Sequence, residues 1–184
     1  MKIINLIPFL GLIVCSLPSI SQSSDTTTTT TTTIITTTTT TTTDITSSPV
    51  VLVGTHKVEH LETSNDHSWF NKNYSEYSYD SSSIAKLKSL PAEYHLVVVA
   101  GTWCADTHLQ LPRFYKVIDD AAIPRERIKL YFVDRELKDP ELVSKKFKIK
   151  KVPTFILMKG DREQTRIVEK PKLSIEKDLV KAVK

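Results

Sequence analysis

Only four of the 184 residues are glycine, and nowhere do they form the glycine-rich turn that cradles a phosphate. That removes the usual nucleotide-binding loop. Five histidines are scattered without metal-ligand spacing, so neither a metal nor a bound cofactor is expected. Lysine and arginine number 25 against 21 acidic residues, yet they form no basic stripe interleaved with aromatics, which argues against nucleic acid as a partner. A membrane-length apolar run is missing too: the longest, Ile3 to Val14, is too short to cross roughly 30 Å of hydrocarbon. Cysteine is the scarcest informative residue, with only Cys15 and Cys104 in the chain.

What is present divides the chain. "MKIINLIPFLGLIVCSLPSIS" sets Lys2 before an apolar stretch and small, turn-forming residues after it, the three-part order of a secretory signal. Residues 1–21 read as a signal peptide cut near Ser21, and the protein as exported, whether secreted, periplasmic or held in the secretory pathway. The alternative is a lipid anchor at Cys15, against which stands the bulk of Val14; without it no membrane partner is expected. Residues 22–49 are a threonine-rich, low-complexity linker with too little apolar surface to offset its ordering entropy. Its β-branched residues favour an extended tether, open to O-linked sugars or serving as a plain spacer. Residues 50–66 read as an irregular lead-in and 67–184 as the folded domain. Loss of the signal removes Cys15, leaving Cys104 as the one thiol. Such a chain forms no internal disulfide, is a monomer when reduced, and either hides its cysteine or uses it on another molecule.

Along the domain, "SSSIAKLKSLP" predicts a short helix with Ile84, Leu87 and Leu90 on one face and Pro91 at its end. "YHLVVVAG" is a continuous apolar run, the mark of a strand covered on both faces. "THLQLPRFYKVIDDAA" puts Leu111, Phe114, Tyr115, Ile118 and Ala121 at helical spacing, with a kink expected at Pro112. "RIKLYFVD" predicts a second buried strand. "DPELVSKKFKI" predicts a short helix capped by Asp139 with Pro140 at its first position. "VPTFILMKGDREQTRIVE" reads as two strands turning at Gly160 and Asp161, and "LSIEKDLVKAVK" as a helix capped at Ser174. Strands separated by helices predict parallel pairing, and the hairpin adds an antiparallel edge. The fold class is α/β, a three-layer sandwich with a mixed central sheet and flanking helices.

This order, with Trp103-Cys104 at the first strand-to-helix junction and Val152-Pro153-Thr154 opening the third strand, resembles the thioredoxin-like superfamily. Members open that helix with Trp-Cys-x-x-Cys and carry a proline eight residues after the first cysteine; here Pro112 follows Cys104 by eight. "KKVPTFILMKGDRE" is similar to the family's cis-proline segment through its hairpin. The resemblance covers about residues 67 to 184 and implies a thioredoxin fold. It also implies a cis Pro153, and a Val152 whose backbone N–H and C=O meet an extended substrate. Two positions depart from the pattern. Thr107 replaces the second cysteine, and Val98 replaces the buried aspartate that helps deprotonate that thiol in many members. The chain looks most like an exported one-cysteine, Cys-x-x-Thr, thioredoxin domain protein.

A thiol at a helix N-terminus faces unpaired N–H groups and the positive dipole end, both of which favour thiolate. Cys104 and Thr107 are therefore the candidate catalytic residues, the Thr107 hydroxyl being placed to donate to the sulfur. Trp103, Val152 and Pro153 are candidate substrate-binding residues. Asp106, by like charge, and His108, as a cation or a solvated side chain, are candidate modulators. Lys148, Lys150 and Lys151 would attract an anionic thiol such as glutathione, or form a solvated face. Three functions remain open. One is a monothiol thiol–disulfide oxidoreductase acting on protein disulfides or thiols, with an external thiol resolving the mixed disulfide. The others are a non-catalytic peptide-binding or client-retaining module, and a surface domain on a threonine tether.

Overall fold

Six of the seven residues from Tyr94 to Ala100 are buried, and this run, β2, becomes the middle of a five-stranded sheet ordered β1-β3-β2-β4-β5. The computed structural model describes residues 50–183. The stretches expected to be a signal peptide and a threonine-rich linker, residues 1–49 with Cys15, lie outside the described residues. The remaining strands are β1 (Gly54–His56), β3 (Ile128–Phe132), β4 (Thr154–Lys159) and β5 (Arg162–Val168); the helices are α1 (Glu59–Glu62), α2 (Trp69–Glu76), α3 (Ser81–Leu87), α4 (Ala105–Asp120), α5 (Val143–Lys146) and α6 (Ile175–Ala182). No helix among the described residues is long and apolar enough to cross a membrane.

Side-chain alternation along β2 divides the core. Leu96, Val98 and Ala100 face a cluster built by Phe70 of α2, Ile84 and Leu87 of α3, Phe114 and Ile118 of α4, and Ile175 and Leu179 of α6. Val97 and Val99 face a smaller cluster with Val143 of α5, Ile149, Val152, Ile156 and Met158. Helices thus cover both faces, thickly on one and thinly on the other. The predicted apolar faces of α3 and α4 are the faces that pack, and α6 packs through Ile175 and Leu179.

Several expectations are corrected. Residues 50–66 are not irregular, since β1 pairs antiparallel with β3 and α1 sends Leu61 into the core. Neither element carries a long apolar period, and α2 buries only Phe70, so none had a sequence signature. Pairing is parallel only between β2 and β3; β4 runs antiparallel to β2, as does β5 to β4. The connection before β4, residues 133–153, holds only the four-residue α5 and so lacks the crossover helix that usually joins parallel strands. Moreover, β3 is buried on one face only, through Leu130 and Phe132. Asp139 is not the N-cap, which is Leu142 at φ 53°, and α5 begins at Val143 rather than Pro140; the Asp139 carboxylate still reaches the first amides of the helix, accepting from Val143 N–H at 2.7 Å and Ser144 N–H at 3.0 Å.

Pro112 lies inside α4, which runs continuously from Ala105 to Asp120. A helical proline frees the carbonyl four residues earlier. That carbonyl, of His108, accepts from the Asn73 side chain of α2 at 3.1 Å. Gly160 turns the β4–β5 hairpin at φ 54°, a conformation that costs glycine little.

A chain beginning at residue 50 is expected to melt within about 2 °C of the full chain, because a threonine run offers almost no apolar surface to bury. A larger drop in calorimetry would mean that residues 1–49 pack on the domain.

Candidate functional site

The carboxyl end of β2 delivers the chain into the tight turn Gly101–Cys104, closed by Cys104 N–H donating to the Gly101 carbonyl at 3.0 Å. Glycine is required there: a Cβ at Gly101 would stand 2.7 Å from the Trp103 ring. Trp103 folds back over the turn, its indole N–H donating to the Val133 carbonyl at 2.9 Å and the Arg135 guanidinium lying 5.3 Å from its ring centroid. Cys104 then occupies the N-cap of α4 in extended backbone, half-buried. Its thiol donates to the Val152 carbonyl at 3.2 Å.

Val152 is buried and precedes a cis peptide bond to Pro153. The Pro153 carbonyl accepts from Glu169 N–H at 2.7 Å, and the Thr154 hydroxyl donates to the Lys151 carbonyl at 2.7 Å. The proline loop is thus fastened to the end of β5 and brought against the sulfur, although 48 residues separate Cys104 from Val152. A carbonyl accepts only, so this contact engages the sulfur in its protonated state. The first-turn N–H groups of α4 stand at the same end of the helix and offer the complementary interaction to a thiolate.

Thr107 is fully buried, and its Oγ1 accepts from Gly101 N–H at 3.3 Å. The sulfur's partner is therefore the Val152 carbonyl rather than the Thr107 hydroxyl, and Thr107 steadies the turn from beneath. Asp106 forms an ion pair with Lys170 at 3.4 Å, and Lys151 one with Glu169 at 2.8 Å. Lys148 and Lys150 are exposed.

His108 is held rather than solvated. Its Nε2 lies 2.6 Å from the Thr102 carbonyl, which fixes that nitrogen as the donor, and its ring stacks on Trp69 at 4.3 Å. His67 packs edge-on to the same tryptophan, and burial holds its pKa below the ordinary value. Trp69, Asn73 and Thr102 were missed by sequence reasoning: Trp69 and Asn73 reach the site only through tertiary contact, and Thr102, though inside the turn, shows its role only through its partners Val50, Leu52 and His108.

Among the described residues, no group of three or more histidine, cysteine or acidic side chains is arranged to hold a metal ion.

No curated protein sequence matches this chain. Among solved structures, a Pseudomonas aeruginosa protein of unknown function superposes with a TM-score of 0.50 at 13% identity, covering 67% of this chain and 76% of that one. Thioredoxin O2 of Arabidopsis thaliana gives 0.38 at 19% identity, over 56% and 86%. Mitochondrial thioredoxin 3 of Saccharomyces cerevisiae gives 0.35 at 16% identity, over 60% and 96%. The sequence model of the family described as Thioredoxin matches residues 54–184. With that match spanning the whole domain from β1 onward, and a cysteine at the head of α4 facing a cis-proline loop, this chain belongs to the thioredoxin-like superfamily.

Proposed function

We propose that this protein is an exported monothiol thiol–disulfide oxidoreductase working through Cys104. The observation that carries the reading is the half-buried sulfur at the N-cap of α4, 3.2 Å from the carbonyl that precedes the cis-proline. A substrate strand laid along Val152 would bring its disulfide to that sulfur.

The exchange balances without a second cysteine. The Cys104 thiolate attacks one sulfur of a substrate disulfide; a new S–S bond forms, the old one breaks, and the electron pair leaves on the other substrate sulfur. An external thiolate, of a small thiol of the glutathione type or of another protein, then attacks the mixed disulfide and releases Cys104 as thiolate. Cys104 undergoes no net oxidation. Thr107 and Gly101 hold the turn, and Trp103 supplies an apolar wall beside the sulfur.

Treatment of the leader-free chain with diamide is expected to give a Cys104-linked dimer, and diamide with glutathione a mixed disulfide at Cys104, both reversed by dithiothreitol. Only unmodified monomer on non-reducing electrophoresis and mass spectrometry would overturn the reading.

A further inference from the structure

The turn that carries Cys104 is gripped at Thr102, and one of the grips comes from outside the α/β core. The Thr102 Oγ1 accepts from Leu52 N–H at 3.1 Å and lies 3.3 Å from the Val50 carbonyl, to which it donates. Its own carbonyl accepts from His108 Nε2 at 2.6 Å. Residues 50–52 therefore run past the active turn two positions from the sulfur and clasp a single buried side chain.

That clasp has little else behind it. Val50 is 54% exposed and Val51 42% exposed, and Leu52 is only partly packed on the core. The regular pairing of the chain begins at Gly54. A segment held by two hydrogen bonds and little apolar burial belongs to the low-stability end of a fold, where local release precedes global unfolding.

We propose that Val50–Leu52 is a regulatory strap on the Cys104 thiol. Docked, it fixes Thr102 and with it the turn that keeps the Cys104 S–H donating to the Val152 carbonyl. Released, it leaves Thr102 held from the His108 side alone, the turn loosens at that residue, the contact to Val152 is lost more often, and the thiol becomes available for attack. The threonine-rich segment joins the fold through this strap, so whatever engages residues 22–49 has a route to the sulfur. The proposal rests on reading Cys104 as the reactive group, though its test does not depend on disulfide turnover.

Coupling of this kind is reciprocal: if strap docking restrains the thiol, modification of the thiol must weaken strap docking by the same factor. Two measurements on the full-length chain follow. The first is the rate of iodoacetamide alkylation at Cys104, read on its own peptide by mass spectrometry so that Cys15 does not contribute. Thr102→Val, which keeps the shape but removes the hydroxyl, is expected to raise that rate about fivefold, the equivalent of one ordinary hydrogen bond. Thr102→Ser keeps the hydroxyl and is expected to match the parent. The second needs no substitution: hydrogen exchange at the Leu52 amide is expected to quicken about fivefold once Cys104 is alkylated.

An unchanged alkylation rate in Thr102→Val, a serine variant that behaves like the valine one, or a Leu52 amide indifferent to alkylation would each overturn the strap. Both effects in a chain that exchanges no disulfide would leave the strap standing and overturn the oxidoreductase reading instead.

Discussion

A Cys104→Ser chain is expected to lose disulfide exchange altogether, and a Thr107→Cys chain to exchange faster than the parent. The first follows from arithmetic, since no other thiol lies in the domain. The second follows from geometry. Thr107 lies three residues beyond the N-cap on the first turn of α4, where paired side chains approach within disulfide range. The new cysteine would release the mixed disulfide from within, and an intramolecular step of this kind should raise insulin reduction, with dithiothreitol as donor, on the order of tenfold. Two features limit the gain. Thr107 is buried with its hydroxyl on Gly101 N–H, and sulfur is a poorer acceptor, so the reduced variant is expected to be less stable by about 1 kcal/mol. Val98, fully buried beneath the turn, also supplies no carboxylate to deprotonate the added thiol. Should Thr107→Cys form its internal disulfide and yet reduce nothing, the groove is not a redox groove and the peptide-binding reading takes its place.

The elements legible in the sequence were those with an apolar period of their own. Leu111, Phe114 and Ile118 announced α4, and the unbroken Leu96–Ala100 run announced a central strand, because a helix or strand must show its buried face in its spacing. β1, α1 and α2 escaped because each buries one large residue or fewer, and their place is set by partners distant in sequence: Phe132 for β1, α4 for α2. Strand direction escaped for a related reason, since a spacing pattern records that β4 is a strand and nothing of which way it runs. At the site, Trp103, Cys104 and Val152-Pro153 could be named from a motif. What each touches could not. Thr102 reads as an ordinary loop residue until Val50, Leu52 and His108 are seen to meet on it. His108 reads as a solvated helix residue until Trp69 arrives from α2.

Removing the Glu176 carboxylate is expected to cost more stability than any change at the thiol. Glu176 stands in the first turn of α6 with only 1% of its surface exposed. It accepts from the Tyr77 hydroxyl at 2.9 Å, from Asp80 N–H at 3.0 Å and from the Ser174 hydroxyl at 2.6 Å. Ser174 thus holds the N-cap position without capping the backbone, and the acid two residues on does the joining. Asp80 in turn caps α3 through Ser83 N–H, so one carboxylate locks the start of α6 to the start of α3. Glu176→Ala would leave the part-buried Tyr77 hydroxyl and Asp80 N–H without their acceptor, at about 3 kcal/mol, a drop of about 10 °C in Tm. Glu176→Gln keeps an acceptor oxygen and should fall between the two. The pH response tells the charge from the packing. Burial pushes the Glu176 carboxyl up, but the hydrogen bonds from Ser174, Asp80 N–H and Tyr77 outweigh it and hold the group below its ordinary 4.5. The unfolded chain therefore takes up the proton first; the stabilisation is present above about pH 4.5 and drains away as pH falls through the folded value. Urea midpoints measured between pH 7 and pH 3 should decline less steeply below pH 4.5 for Glu176→Gln than for the parent. Parallel curves, or an alanine variant that melts with the parent, would show that α6 is held by Ile175 and Leu179 alone.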